Sequence, residues 1–176
     1  VKLPLASFTI GSDIGATTMS NVVRVRNEVL SNGPIKIYGD GVEKYGNMQT
    51  LNSGSRILLK SSARIWVNTN ADFTTNLGDI TLWSNSDNAT TGDNAGNLYL
   101  NNQLDFNTFN GVAAATTPNY TSPWGSLTAT TGGDITFGGG LASVDDAEKP
   151  GGYAYSGNPN DAAIRMGTSP DSFILY

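Results

Sequence analysis

The 176-residue chain contains no cysteine and no histidine. Without cysteine there is no disulfide framework, no thiolate metal site and no cysteine nucleophile; without histidine, serine–histidine catalysis and imidazole proton shuttling are excluded. Charge is scarce too. Charged residues make up 14% of the chain, ten Lys and Arg against fifteen Asp and Glu for a net charge of −5, so solubility rests on Asn, Thr, Ser and Gly. The cations are scattered singly along the sequence, which argues against a nucleic-acid partner and against a charged membrane surface. No run of eighteen apolar residues occurs, so membrane insertion is not expected, and the opening "VKLPLASFTI" lacks the pattern of a signal peptide. Helical spacing is nearly absent. Only "MSNVVRVRNEVLSN" is long enough to consider, and its Val22, Val23, Val25 run is β-branched and reads as a strand.

What the chain does contain is one phrase, repeated. Gly33-Pro34-Ile35-Lys36-Ile37, Gly54-Ser55-Arg56-Ile57-Leu58-Leu59, Gly78-Asp79-Ile80-Thr81-Leu82, Gly96-Asn97-Leu98-Tyr99-Leu100 and Gly133-Asp134-Ile135-Thr136-Phe137 align on their glycines, which lie 21, 24, 18 and 37 residues apart. A period near twenty with one skipped beat marks a solenoid. Apolar residues two apart mark a strand with one buried face. Secondary phrases, Ile65-Trp66-Val67 and Leu104-Asp105-Phe106, place two or three short strands in each coil. Glycine at the strand entrance is expected to supply positive φ, and corner asparagines to link successive coils. The expectation is an all-β parallel β-helix, a β-solenoid with coils of about 20 residues, roughly eight coils and ~40 Å long.

Residues 1–176 read as a single solenoid segment of a longer chain, with insertions near 111–129 and 143–172. The first, "GVAAATTPNYTSPWGSLTA", is expected to leave the stack as a loop, with Trp124 folding back as a plug. The second is rich in Pro and Gly, holds one strand candidate, Ala163–Met166, and is expected to cover a face or end.

The stretches "SGSRILLKSSARIWVNTNADFTTNLGDITLWSNSDN" and "TTGGDITFGGG" resemble the coils of filamentous-haemagglutinin-type surface adhesins, most nearly the giant repetitive adhesins of Bacteroidetes. The resemblance covers roughly residues 31–141. It implies a right-handed coil and an extracellular, cell-surface, non-enzymatic stalk or adhesive filament segment, without cofactor or metal. The partners implied are glycans or a host or neighbouring-cell surface, and self-association into a fibre is a further expectation. The family has no catalytic residues to carry over.

Some β-helices cleave polysaccharides, so the carboxylates matter. Asp145-Asp146 is the only adjacent acidic pair, and with no histidine to orient it a solvated loop is the plainer reading; the alternative is a polysaccharide-degrading or glycan-binding β-helix of tailspike type. "DNATTGDN" at 87–94 fails the calcium-loop pattern because Ala89 and Thr91 occupy ligand positions. No catalytic or metal residues are therefore assigned. For ligand binding the candidates are Tyr38, Trp83 and Trp124: strict alternation in "IKIY" and "ITLW" turns the first two outward as sugar-stacking platforms or as the floor beneath an inserted loop.

Overall fold

The computed structural model describes residues 3–15, 17–89, 96–101, 104, 106–108, 133–152 and 154 in full, and residues 105, 117–122, 125–130 and 164–166 as backbone. Every regular element among them is a strand. Four successive coils each contribute three. They are β1 (Phe8–Ile10), β2 (Val22–Val25) and β3 (Val29–Ser31); β4 (Ile35–Gly39), β5 (Gly41–Lys44) and β6 (Met48–Thr50); β7 (Ile57–Ser61), β8 (Ile65–Val67) and β9 (Phe73–Thr74); and β10 (Ile80–Ser84), β11 (Leu98–Leu100) and β12 (Leu104–Asn107). A fifth level is built from β13 (Thr117–Ser122), β14 (Gly125–Thr130), β15 (Ile135–Ala142), β16 (Pro150–Gly152) and β17 (Ile164–Met166).

Like stacks on like. The first sheet runs β1-β4-β7-β10-β15-β16, the second β2-β5-β8-β11-β17, the third β3-β6-β9-β12-β14-β13. All pairings are parallel except the closing ones, β13 on β14 and β16 on β15. The chain is a parallel β-solenoid, as its repeat implies.

The register shows why. Ile35, Ile57, Ile80 and Ile135 form one inward column of the first sheet, and Ile37, Leu59, Leu82 and Phe137 the next. One coil therefore takes 22 residues from Ile35 to Ile57 and 23 from Ile57 to Ile80. The third sheet adds a stack of Phe73 on Phe106, 4.8 Å between centroids, with Phe137 edge-on to Phe106 at 5.1 Å. Burying each such aliphatic side chain stabilises by roughly 1.5–3 kcal/mol.

Corners are stitched by buried hydroxyls. At the turn from third sheet to first, Thr50 Oγ1 donates to Ser55 O at 2.7 Å, Thr75 Oγ1 to Gly78 O at 2.5 Å and Thr108 Oγ1 to Gly133 O at 3.0 Å. Ser61 and Ser84 do the same between first and second sheets, Ser84 Oγ reaching Gly96 O at 2.5 Å. The threonine and Ser84 bonds satisfy carbonyls outside the ladders, while Ser61 adds a second bond to two carbonyls that already accept backbone amides, Asp40 O from Ala63 and Arg64 O from Val42. Asparagines link coils as expected: Asn101 Nδ2 donates to Asn68 Oδ1 at 3.3 Å and Asn76 Nδ2 to Leu51 O at 3.0 Å.

The coil from β7 to β9 is irregular, since five residues (68–72) join β8 to β9 where three (45–47) join β5 to β6. The carbonyls of Ala71 and Asp72 turn inward, and Lys44 reaches up the interior to cap both, its ammonium 3.9 Å from the Phe73 ring centroid. Burial holds the Lys44 pKa well below the usual lysine range.

Four expectations change. Among the described residues the stack has five levels rather than eight coils, a rise of about 19 Å at ~4.8 Å per step. The Gly96 phrase is out of phase: Leu98–Leu100 lies in the second sheet, in register with Ile65–Val67, so the beat after Gly78 falls on Gly133. The entrance glycines divide by cause. Gly96 does have positive φ, at 111°, whereas a Cβ on Gly78 would run into the Ser55 carbonyl of the coil below and one on Gly133 would lie 2.7 Å from Gly78 O, so these two are kept small by stacking. Finally, the 111–129 segment is not loop alone, since β14 joins the third sheet on β12 and β13 closes it. The second insertion does carry its strand, β17, and its 143–152 portion folds against the first sheet.

Candidate functional site

Alternation turns the residues between the inward columns outward on every sheet, but their fates differ. On the first sheet the outer columns are Lys36, Leu58, Thr81, Thr136 and Tyr38, Lys60, Trp83, Gly138. Two segments lie across them. The 11–21 segment, between β1 and β2, brings Met19 onto Tyr38, Leu58 and Trp83, pairs Asp13 with Lys60 at 2.7 Å, and ties Thr18 to Asp87 at 2.7 Å. From the other side the 143–150 turn brings Glu148 between Lys36, at 2.5 Å, and Arg56, while Lys149 bonds Asp134 at 2.9 Å, which raises its pKa.

Beneath this cover Trp83 is 0% exposed and Tyr38 8%. Trp83 Nε1 donates to Gly140 O at 2.7 Å, and the Lys60 ammonium sits 4.0 Å from its ring centroid. Burial pushes the Tyr38 hydroxyl pKa up. Both side chains point outward as alternation requires, yet neither has a ring face open to a sugar; here they are the floor on which the overlying segments rest. Trp124 lies outside the described residues.

The second sheet is different. Its central outer column runs Arg24, Glu43, Trp66, Tyr99, one residue per level in strict register, and the backbone of Arg165 continues the register beyond Tyr99. Trp66 is 36% exposed and its ring lies 5.4 Å, centroid to centroid, from that of Tyr99 at a 35° tilt. The Arg64 guanidinium stands 5.8 Å from the Trp66 centroid. Glu43 accepts from Arg24 Nε at 2.6 Å and Nη2 at 3.3 Å, faces Arg64 at 3.7 Å, and receives the Tyr45 hydroxyl at 3.2 Å. The Arg24 hydrogen bonds are the main reason its pKa is lowered. Sequence order conceals this grouping. Four of the chain's five arginines, Arg24, Arg26, Arg64 and Arg165, stand on or one residue beyond the strands of this sheet, although along the chain they are dispersed. Ile65-Trp66-Val67 and Leu98-Tyr99-Leu100 carried the signal in their alternation.

Among the described residues the third sheet's outer column of Leu30, Gln49, Thr74 and Asn107 is mostly polar and holds no aromatic ring.

The acidic residues do turn chemistry. Asp146 Oδ1 accepts the Glu148 amide at 2.9 Å, and the Asp145 amide donates to Ser143 Oγ. Asp87 takes Thr18 Oγ1 and the Ala89 amide; residues 90–94 of the 87–94 corner lie outside the described residues. Among the described residues no three His, Cys, Asp or Glu side chains gather as a metal site, and no helix is long and apolar enough to cross a membrane.

No protein-family model, curated protein or solved structure matches the chain. Its function is therefore argued from the geometry above.

Proposed function

We propose that this chain is a structural and adhesive segment of an extracellular bacterial surface adhesin or filament, a rigid stalk that presents binding surfaces. The observation that carries this reading is the unbroken register of the inward columns through the levels. Each strand borrows its hydrogen bonds from the coils above and below, so the unit is stiff along its axis and its outer faces can vary without disturbing the core. Sparse charge and an Asn/Thr/Gly surface suit a rod that displays recognition patches and gains avidity from repetition. Its partners in this reading are glycans of a host or neighbouring cell, and fibre formation is a second mode of contact.

The Trp66–Tyr99 pair favours one rival, a tailspike-like β-helix that binds or cleaves polysaccharide. Incubation with a polysaccharide panel separates the two. The stalk reading expects no new reducing ends. Turnover abolished in an Asp145→Asn, Asp146→Asn double variant would reject it. Sedimentation of the purified chain across concentrations tests the fibre mode: larger species at high concentration support it, and a monomer throughout rejects it.

A further inference from the structure

We propose that the outer face of the second sheet is a binding strip for a uronate-bearing oligosaccharide, with Trp66 and Tyr99 as the stacking platform and Arg24 and Arg64 as carboxylate partners. The inference deepens the adhesive reading and rests on it for the ligand being a surface glycan.

Three observations converge. First, Trp66 and Tyr99 are adjacent in register and 5.4 Å apart, so they form one aromatic strip along the solenoid axis, and flat rings of this kind suit the apolar faces of pyranoses. Second, the charge of the face opposes that of the chain. On or one residue beyond its five strands lie four arginines, Arg24, Arg26, Arg64 and Arg165, against two carboxylates, Glu43 and Asp40, in a protein of net charge −5. Third, Glu43 shows what the face accepts. Its carboxylate is held by the Nε and Nη2 of Arg24, with Arg64 on its other side, directly beside Trp66 in the column. Planar guanidinium groups recognise carboxylates in this paired fashion. Arg165 occupies the next register position beyond Tyr99, so the column places an arginine beyond each end of the Glu43–Trp66–Tyr99 run. From Arg24 to Arg165 the column spans about 19 Å at ~4.8 Å per level, the length of an oligosaccharide rather than of a single ring. Two partly exposed rings are far too small a patch for a stable protein interface, which needs roughly 800 Å² per partner.

The test is calorimetric titration of the full chain with hexagalacturonate, with neutral cellohexaose and a single-stranded hexadeoxynucleotide as comparison probes. Hexagalacturonate binding that weakens with added salt is expected, at least about tenfold weaker in Trp66→Ala and in Arg64→Gln and largely retained in Trp66→Phe. Thermal unfolding of each variant confirms the fold. Absence of hexagalacturonate binding overturns the strip, as does binding unchanged in Trp66→Ala or tighter binding of either comparison probe. Binding accompanied by new reducing ends supports the strip and overturns the stalk; no binding and no turnover overturns the strip alone.

Discussion

Trp83 and Trp66 occupy equivalent outward positions on neighbouring sheets, and the chain treats them in opposite ways. Trp66 sits between inward Ile65 and Val67 and Trp83 between inward Leu82 and Ser84, on strands three and five residues long, so the same alternation rule turns both away from the core. Trp83 then disappears under the 11–21 segment and the turn around Gly140, while Trp66 keeps a third of its surface in solvent. What separates a structural tryptophan from a candidate contact residue is thus whether a long connection crosses that face. The first sheet has two such covers and the second has none among the described residues.

Substitution can break this contrast. Trp83→Ala should cost about 3–5 kcal/mol, since it empties a filled site, removes the ring beside Lys60 and leaves the Gly140 carbonyl without its indole donor, and chemical denaturation will show it as a lower midpoint. Gly78→Ala, which drives a methyl into the Ser55 carbonyl, should cost about 1–3 kcal/mol by the same measurement and weaken the first sheet beneath its cover. Asp13→Ala removes the acid that holds the cover on Lys60. Because Asp13 is partly exposed, a loss of about 1–2 kcal/mol is expected, with faster limited proteolysis within 11–21 while the second sheet stays protected. Trp66→Ala should change stability by less than about 1 kcal/mol, with a thermal midpoint close to the parent.

The two buried lysines sharpen the same contrast between outside and inside. Lys60, beneath the outer cover, has a carboxylate; Lys44, in the interior, has two carbonyls and an aromatic face. Burial lowers the Lys44 pKa, so between that lowered value and the usual 10.5 the unfolded chain binds a proton that the native chain resists. Stability should rise with pH through this window. The measurement belongs below pH 10, because the raised pKa of Tyr38 works in the opposite direction above it. In Lys44→Met the slope should flatten, as denaturant midpoints at a series of pH values would show.

The fold was legible from sequence because its cause is local. An Ile-x-Ile or Ile-x-Leu triplet after a small residue can bury only one face, and repeating it every 22 or 23 residues allows stacking and little else. Phase was harder to read: Gly96 begins the same phrase as Gly78 yet feeds a different sheet, since two sheets demand the same triplet. The glycines were legible in position but not in cause, as the carbonyl that crowds Gly78 belongs to the coil below. Tyr38 and Trp83 were correctly placed outward, but burial depends on Met19 and Gly140, one before these residues in the chain and the other well after them.

What the sequence by itself determined is the strand triplet, its inward and outward sides, and the period that lets like residues stack, all consequences of backbone geometry acting over a few residues. Only the tertiary structure decided which outward face is covered and which is open, and which dispersed charges meet. Arg24 and Arg64 become neighbours of one aromatic strip because stacking converts a separation of some twenty residues or more into a single ~4.8 Å step, or a few such steps, and no local rule reports that conversion.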